Sequence, residues 1–346
     1  MANLTFKNAE DAKEAIMASQ KKEIVQLYNK WADEIGERAK FYSHKSNASA
    51  PLSERYYKEL QKQLRETSQE VSNEIYKNIK SGIYMVSDAV VKDNVEWLKS
   101  FGFPADGLGA AFSFVPNDTV QRLVTGQIYE GGWNLSSRIW GDNEQTLKDI
   151  YEVMAKGLAE NKPIYDIAKD LEKYVRPSAS LPWNLTMGDG RRIYKKQVDY
   201  NAQRLARTLT QHAYQQSFIA VTQNNPFVED YIWHANGSRV CELCEVRDGQ
   251  HFKKDELPMD HPNGMCVMEP NVDNEKMKDQ LADWIKSSDG SYPEIDEFAS
   301  KFGYVPGVSQ LDATQKKWLE MAGYTNGQMP KDFSEFAHKL TYDQQS

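Results

Sequence analysis

The chain has 346 residues, of which 40% are hydrophobic and 27% charged, and its formal net charge is −8. This length and apolar content can fill more than one core, which excludes a globally disordered protein. The negative charge excludes a protein that coats nucleic acid by bulk electrostatics, because that requires clustered Lys and Arg, so any contact with DNA has to be local.

The N-terminal third predicts long amphipathic helices. Residues 8–46 carry apolar residues at a helical period, namely Ile24, Leu27, Tyr28, Trp31 and Ile35. A second helix is predicted from Ser53 to Gly82, because glycine commonly follows a helix end, and a third over residues 83–100. The apolar stripes favour packing of these helices against each other, and the alternative is a face that docks on a partner.

The opening residues also bear on where the chain is made. The sequence starts MANLTFKNAEDAK, which lacks a hydrophobic signal core, and no apolar run approaches the roughly 18 residues that span a bilayer. We therefore expect a chain that is made in a cytosol and has no membrane partner.

The middle of the chain predicts further helices. Residues 101–118 mix Gly, Pro and apolar residues without a clear period, and we expect a domain boundary in this stretch. Pro163 suits the first turn of a helix with the stripe Ile164, Ile167, Leu171 and Val175. Residues 176–190 predict an exposed loop.

Residues 191–223 predict another helix, which Pro226 ends. Arg204, Arg207 and His212 lie away from its apolar side, and we expect the arginines to be solvated or paired. Next, β-favouring residues flank Asn236-Gly237, which predicts a tight hairpin, and a second turn signal follows at Asp248-Gly249. The tail predicts short helices near residues 273–287, 293–302, 312–322 and 331–340.

Four metal-ligand residue types cluster just after the predicted hairpin. They are Cys241 and Cys244 in a C-x2-C motif, His261 and Cys266. Two cysteines at this spacing can direct both sulfurs at one ion, and four protein ligands leave no open position, so the pattern predicts a structural Zn²⁺ site. His234 and His251 are alternative ligands by proximity.

Two other interpretations of the cysteines remain. They are three ordinary buried thiols, or a redox-active pair. A redox pair would require the motif to open a helix after a strand, whereas we expect a hairpin and a turn here. The predicted fold class is mainly α with a small β-hairpin Cys/His zinc module, that is, a multi-part α+β protein.

The residues around the cysteines resemble the MuF-like family of phage head morphogenesis proteins over about residues 195–270. The resemblance rests on Trp233, Arg239–Cys244, Asp248-Gly249, Phe252, Leu257-Pro258 and His261–Cys266. Upstream, Val124–Tyr129, Gly132–Leu135, Ile139-Trp140 and Arg204–Thr208 look like minor head proteins of phages of Gram-positive bacteria. Relatives commonly carry cysteine where this chain has Gly264.

The resemblance implies a non-catalytic virion protein of the head, made in the bacterial cytoplasm and bound near the portal, that acts in head assembly and in DNA packaging or delivery. It implies the portal protein as partner, with capsid or scaffolding protein and viral DNA as further candidates. The expected parts are residues 1–105, a helical region and candidate portal contact; 106–190, a helical middle region; 191–270, the MuF-like core; and 271–346, a helical extension.

Two other function classes are open. MuF-like modules are sometimes joined to C-terminal effector or toxin enzymes, but residues 271–346 show no nucleophile with a spaced base and no phosphate-binding glycine loop. A zinc-dependent DNA-binding protein would need a basic stripe beside the Cys/His module. That segment is instead rich in acidic residues, namely Glu242, Glu245, Asp248, Asp255 and Glu256.

Overall fold

The computed structural model describes residues 7–45, 54–101, 108–129, 131–160, 162–176, 199–236, 240–286, 291–301 and 317. These ranges form a mainly helical protein with one small antiparallel sheet, which confirms the predicted fold class. The elements in chain order are α1 (Lys7–Lys45), α2 (Glu54–Ser100), α3 (Leu108–Phe112), α4 (Val115–Thr125), α5 (Leu135–Ala159), α6 (Ile164–Val175), α7 (Tyr200–Thr222), β1 (Val228–His234), α8 (Glu242–Arg247), β2 (His251–Phe252), β3 (Val267–Val272), α9 (Asn274–Lys286) and α10 (Pro293–Ser300).

The helices α1 and α2 pack against each other along their apolar stripes. Helix α2 runs without interruption, so the predicted helix end at Gly82 and the separate third helix are wrong. A side chain at Gly82 would collide with the amide of Gln20 on α1, and this amide donates to the carbonyl of Asn78 at 3.3 Å. Gly82 therefore permits the close approach of two helices and does not end one.

Helix α7 lies at the centre of the fold and packs against α1, α2, α4 and β3. It is buried on nearly all sides between Thr208 and Phe218, as expected of a helix inside a larger core. One hydrophobic cluster joins side chains from all four expected parts of the chain, for example Ile24, Ile150, Leu209 and Met277. The division into parts at residues 105, 190 and 270 stays a prediction.

The sheet has the order β2-β1-β3, and both outer strands run antiparallel to β1. Tyr231 and Trp233 on β1 are fully buried. The predicted tight hairpin at Asn236-Gly237 is wrong, because α8 occupies the place of a returning strand and β1 finds its partner only at β2. The turn at Asp248-Gly249, where Gly249 has a φ of 71°, leads into that strand.

The remaining helix predictions hold where the structure describes the chain. Pro163 is the N-cap residue of α6, and Ile167, Leu171 and Val175 are buried. Helices α9 and α10 confirm two of the four predicted tail helices. Other predictions lie outside the described residues. They are the loop at residues 176–190, the helices at 312–322 and 331–340 apart from residue 317, and most of the tail that was considered as an effector. Among the described residues, no helix is long and apolar enough to cross a membrane.

Candidate metal centre

The C-x2-C motif lies at the start of α8, which β1 holds in place. Cys241 is the N-cap residue of α8, and Cys244 is buried one turn later. The backbone N–H of Gly249, just after α8, donates to the carbonyl of Trp233 at 2.8 Å, and the N–H of Ala235 donates to the carboxylate of Asp248 at 2.8 Å. These bonds fix the short helix against the end of the strand.

The structure brings the four predicted ligands together in two groups that share Cys244. Ligand atoms of Cys241, Cys244 and His261 all lie within 4.8 Å of one another, and so do those of Cys244, Cys266 and Asp260. The Cys241 sulfur lies 3.2 Å from Nε2 of His261. Sulfurs bound to one zinc ion at about 2.3 Å are about 3.8 Å apart, so the spacing of Cys241, Cys244 and His261 is compatible with a shared metal ion.

The protonation of the cluster depends on burial and on its internal contacts. Hydrogen bonds from Cys244 and the nearby His261 lower the pKa of the exposed Cys241 thiol. Burial raises the pKa of Cys244, and the neighbouring Cys266 and Cys241 raise it further. Burial lowers the pKa of His261, but the Pro262 carbonyl, Asp260 and Cys241 outweigh this, so the net pKa is raised. A divalent cation would supply the positive charge that favours thiolates here.

Polar side chains of α7 hold the loop that carries His261 and Cys266. The amide of Gln211 donates to the Cys266 carbonyl at 2.5 Å. The Gln215 amide bonds the loop twice, because Nε2 donates to the Pro258 carbonyl at 2.6 Å and Oε1 accepts from the backbone N–H of Asp260 at 2.9 Å. The backbone of this loop is therefore fixed by a buried helix.

His212 makes a further bond from α7 to the same loop. Its Nε2 lies 2.9 Å from the Asp260 carbonyl, to which only an N–H can donate, and its Nδ1 lies 2.7 Å from the Tyr129 hydroxyl. Burial lowers the pKa of His212, although Asp260 opposes this effect. The neutral imidazole with the proton on Nε2 satisfies both contacts, so His212 positions the loop and is not a metal ligand in this arrangement.

Asp260 organises the loop from within. One carboxylate oxygen accepts from the backbone N–H of His261 at 2.8 Å, and the other accepts from the N–H of Cys266 at 3.1 Å. The side chain is nearly fully buried. A Cβ atom at Gly264 would collide with this carboxylate, so a cysteine at this position does not fit beside Asp260 as it is placed here.

The two reserve histidines lie on the sheet and contact carboxylates. His234 lies 2.9 Å from Glu269, and His251 lies 2.9 Å from Asp230. Neither belongs to a metal-binding group among the described residues. The argument that the C-x2-C motif does not open a helix is wrong, since Cys241 caps α8. The convergence of His261 and Cys266 on the motif nevertheless favours a metal over a redox-active pair.

Sequence reasoning missed Asp260 and the polar contacts of α7. Thr208, Gln211, His212 and Gln215 follow the spacing i, i+3, i+4, i+7, which places these polar side chains on one side of α7. Polar side chains on a buried helix have to meet polar partners, and here they meet the backbone of residues 258–266. Comparison of the chain with protein-family models, with curated proteins and with solved structures found no match.

Proposed function

We propose that the chain is a minor head protein of a tailed phage that lies near the portal and has a structural role in head assembly and in genome packaging or delivery. The observation that carries the proposal is that Cys241, Cys244 and His261 lie together beside a small sheet, with Cys266 next to Cys244. The resemblance of residues 195–270 to the MuF-like family supplies the biological setting for that module.

In this proposal the four residues hold one Zn²⁺ ion. Four protein ligands complete a tetrahedral shell, so the ion has no position for a reacting water molecule and its role is architectural. The segment that contains α8 and β2 would gain stability from such an ion, because β2 has only two residues and α8 only six. Metal binding by these ligands would link α8 to the loop that α7 holds.

The proposed contact with the portal lies in the N-terminal helices. Tyr84 and Met85 are neighbouring apolar side chains on α2 that remain 44% and 46% exposed. Exposed apolar patches of this kind commonly mark interaction sites. Deleting residues 1–100 would not test this contact cleanly, because α1 and α2 supply part of the shared core, for example Ile24 and Ile79.

The proposal is tested by co-purifying the full chain with the portal protein encoded in the same phage genome. We expect a stable complex that the double variant Tyr84→Asp/Met85→Asp weakens. The matched control is Val246→Asp, which adds a charge at another exposed apolar side chain, on α8. A wild-type chain that does not bind the portal would overturn the proposed function, and a double variant that binds as well as wild type would exclude this face as the contact.

A further inference from the structure

A small cavity of about 100 Å³ lies beside the candidate metal centre, between α1, the start of α7 and the loop held by α7. Three cationic side chains line it, Lys21 from α1 and Arg204 and Arg207 from α7, together with Asn263 of the loop. The two arginines are three residues apart and so lie on the same side of the helix. Elements that are distant in sequence thus place three cationic residues around one space.

The positive charge of this cavity is not neutralised by close ion pairs. Among the described residues, none of the three cations has a carboxylate within 4.0 Å, whereas the exposed Lys92 lies 2.6 Å from Asp88. Two carboxylates interact electrostatically with these cations, Asp142 with Arg204 and Asp199 with Lys21.

Each of those carboxylates already accepts a hydrogen bond from an amide side chain. Asp142 accepts from the side-chain amide of Asn201 at 3.3 Å, and Asp199 accepts from that of Gln203. Burial raises the pKa of Asp142 and of Asp199, which favours their neutral forms relative to exposed carboxylates. Three cations around one cavity are thus a local feature of a chain whose net charge is −8.

The donors suit a tetrahedral oxyanion. Guanidinium groups present paired N–H donors that match two phosphate oxygens, and a lysine ammonium adds a compact charge from another direction. Asn263 has a left-handed backbone with a φ of 69°, and its N–H donates to the Thr208 hydroxyl at 2.9 Å, which fixes this residue at the edge of the cavity. We propose that the cavity binds one phosphate group, either as inorganic phosphate or as part of a nucleic-acid backbone.

The inference is independent of the portal contact and is tested by equilibrium dialysis of the full, zinc-supplemented chain against radiolabelled inorganic phosphate. We expect saturable binding that is weakened about tenfold or more in Arg204→Gln/Arg207→Gln, because charged hydrogen bonds are lost. The control Arg65→Gln/Arg122→Gln removes the same charge from α2 and α4 at positions that do not line the cavity, and it should bind like wild type. Circular dichroism and zinc content check folding, and Lys21→Gln replaces the double variant if either changes.

A short fluorescently labelled DNA duplex then identifies the source of the phosphate. If the cavity variant weakens duplex binding more than the control variant does, the ligand is a backbone phosphate; if both bind the duplex equally, the ligand is free phosphate. A wild-type chain without saturable phosphate binding, or equal phosphate affinity in the cavity and control variants, would overturn the inference.

Discussion

The backbone N–H of Cys266 donates a hydrogen bond to the carboxylate of Asp260, six residues earlier in the chain, at 3.1 Å. The same carboxylate accepts from the N–H of His261, so one buried side chain sets the backbone at both ligands of the loop. Helix α7 in turn fixes Asp260 through Gln215 and His212. The geometry of the candidate metal centre therefore depends on side chains that do not themselves belong to the predicted ligand set.

Replacing Gln215 should weaken metal binding without removing a ligand. Gln215→Met breaks both bonds to the loop and leaves the backbone N–H of Asp260 without its acceptor. We expect zinc affinity to fall about 10- to 100-fold, which is the usual effect of losing a residue that orients metal ligands. Competition with a chromophoric chelator measures the affinity.

The neighbouring Gln216 provides the control for this experiment. It is only partly buried, and in the part of the chain that the structure describes no hydrogen bond joins its side chain to the loop. Gln216→Met makes the same chemical change one residue away and should bind zinc as wild type does. Equal affinities in the Gln215 and Gln216 variants would show that α7 does not organise the centre.

A methyl group at position 264 should destabilise the protein because of Asp260. Gly264→Ala places its Cβ against the Asp260 carboxylate, and we expect a loss of about 1–3 kcal/mol in the free energy of unfolding. In an Asp260→Ala background the collision is absent, so the same substitution should cost less. Urea unfolding of the four chains of this double-mutant cycle measures the coupling.

Gly141→Ala in α5 is the control for the glycine cycle, since a Cβ there meets no atom within 4 Å. It should leave stability unchanged or raise it by up to about 1 kcal/mol, because alanine favours a helix. Additive effects of Gly264→Ala and Asp260→Ala would contradict the proposed collision.

Lys13 gives the protein a pH-dependent stability. It is fully buried on α1, its ammonium lies 4.4 Å from the centroid of the Tyr214 ring, and among the described residues it has no hydrogen-bond partner. Burial lowers its pKa from 10.5, although Glu10 and Asp260 oppose the shift. Between the lowered pKa and 10.5 the unfolded chain binds more protons than the folded chain, so the cost of burying Lys13 diminishes as the pH rises through this window.

Lys13→Met should therefore raise the free energy of unfolding at neutral pH by about 1–3 kcal/mol, because it removes a buried donor without a partner. The gain should shrink as the pH approaches 10.5, the ordinary pKa of a lysine in an unfolded chain. Urea unfolding over this pH range measures it. The exposed Lys22 on the same helix is the control, and Lys22→Met should change stability by less than about 0.5 kcal/mol. A gain that does not vary with pH would contradict the explanation.

The apolar stripes of the helices were predictable, because the period of the apolar residues indicates which side of each helix is buried. Ile24, Trp31 and Ile35 follow that period and are buried, and the fold class follows from them. Gly82 was not predictable in the same way, because the reason for it lies on another helix. Only the position of Gln20 in space shows that the glycine makes room for a neighbour.

The candidate metal centre was likewise predictable only in the part that local sequence determines. The spacing of Cys241 and Cys244 is local information, and the sequence alone selects it together with His261 and Cys266. Asp260 was not predictable, because its role depends on its position in space between two ligands. Gln215 was not predictable either, because it accepts from the backbone N–H of Asp260, which is 45 residues away in sequence. The sequence Asn236-Gly237 favours a tight hairpin by turn propensity alone, but the helix α8, which Cys241 caps, follows instead of a strand.

The metal content of the purified full chain tests the central claim most directly. Inductively coupled plasma mass spectrometry should find about one zinc ion per chain in wild type, none in Cys241→Ser or His261→Ala, and wild-type content in the control His251→Ala. Limited proteolysis should then cut the two ligand variants between residues 240 and 272. A wild-type chain without stoichiometric zinc, or a Cys241→Ser variant that keeps it, would contradict a structural zinc centre at this site.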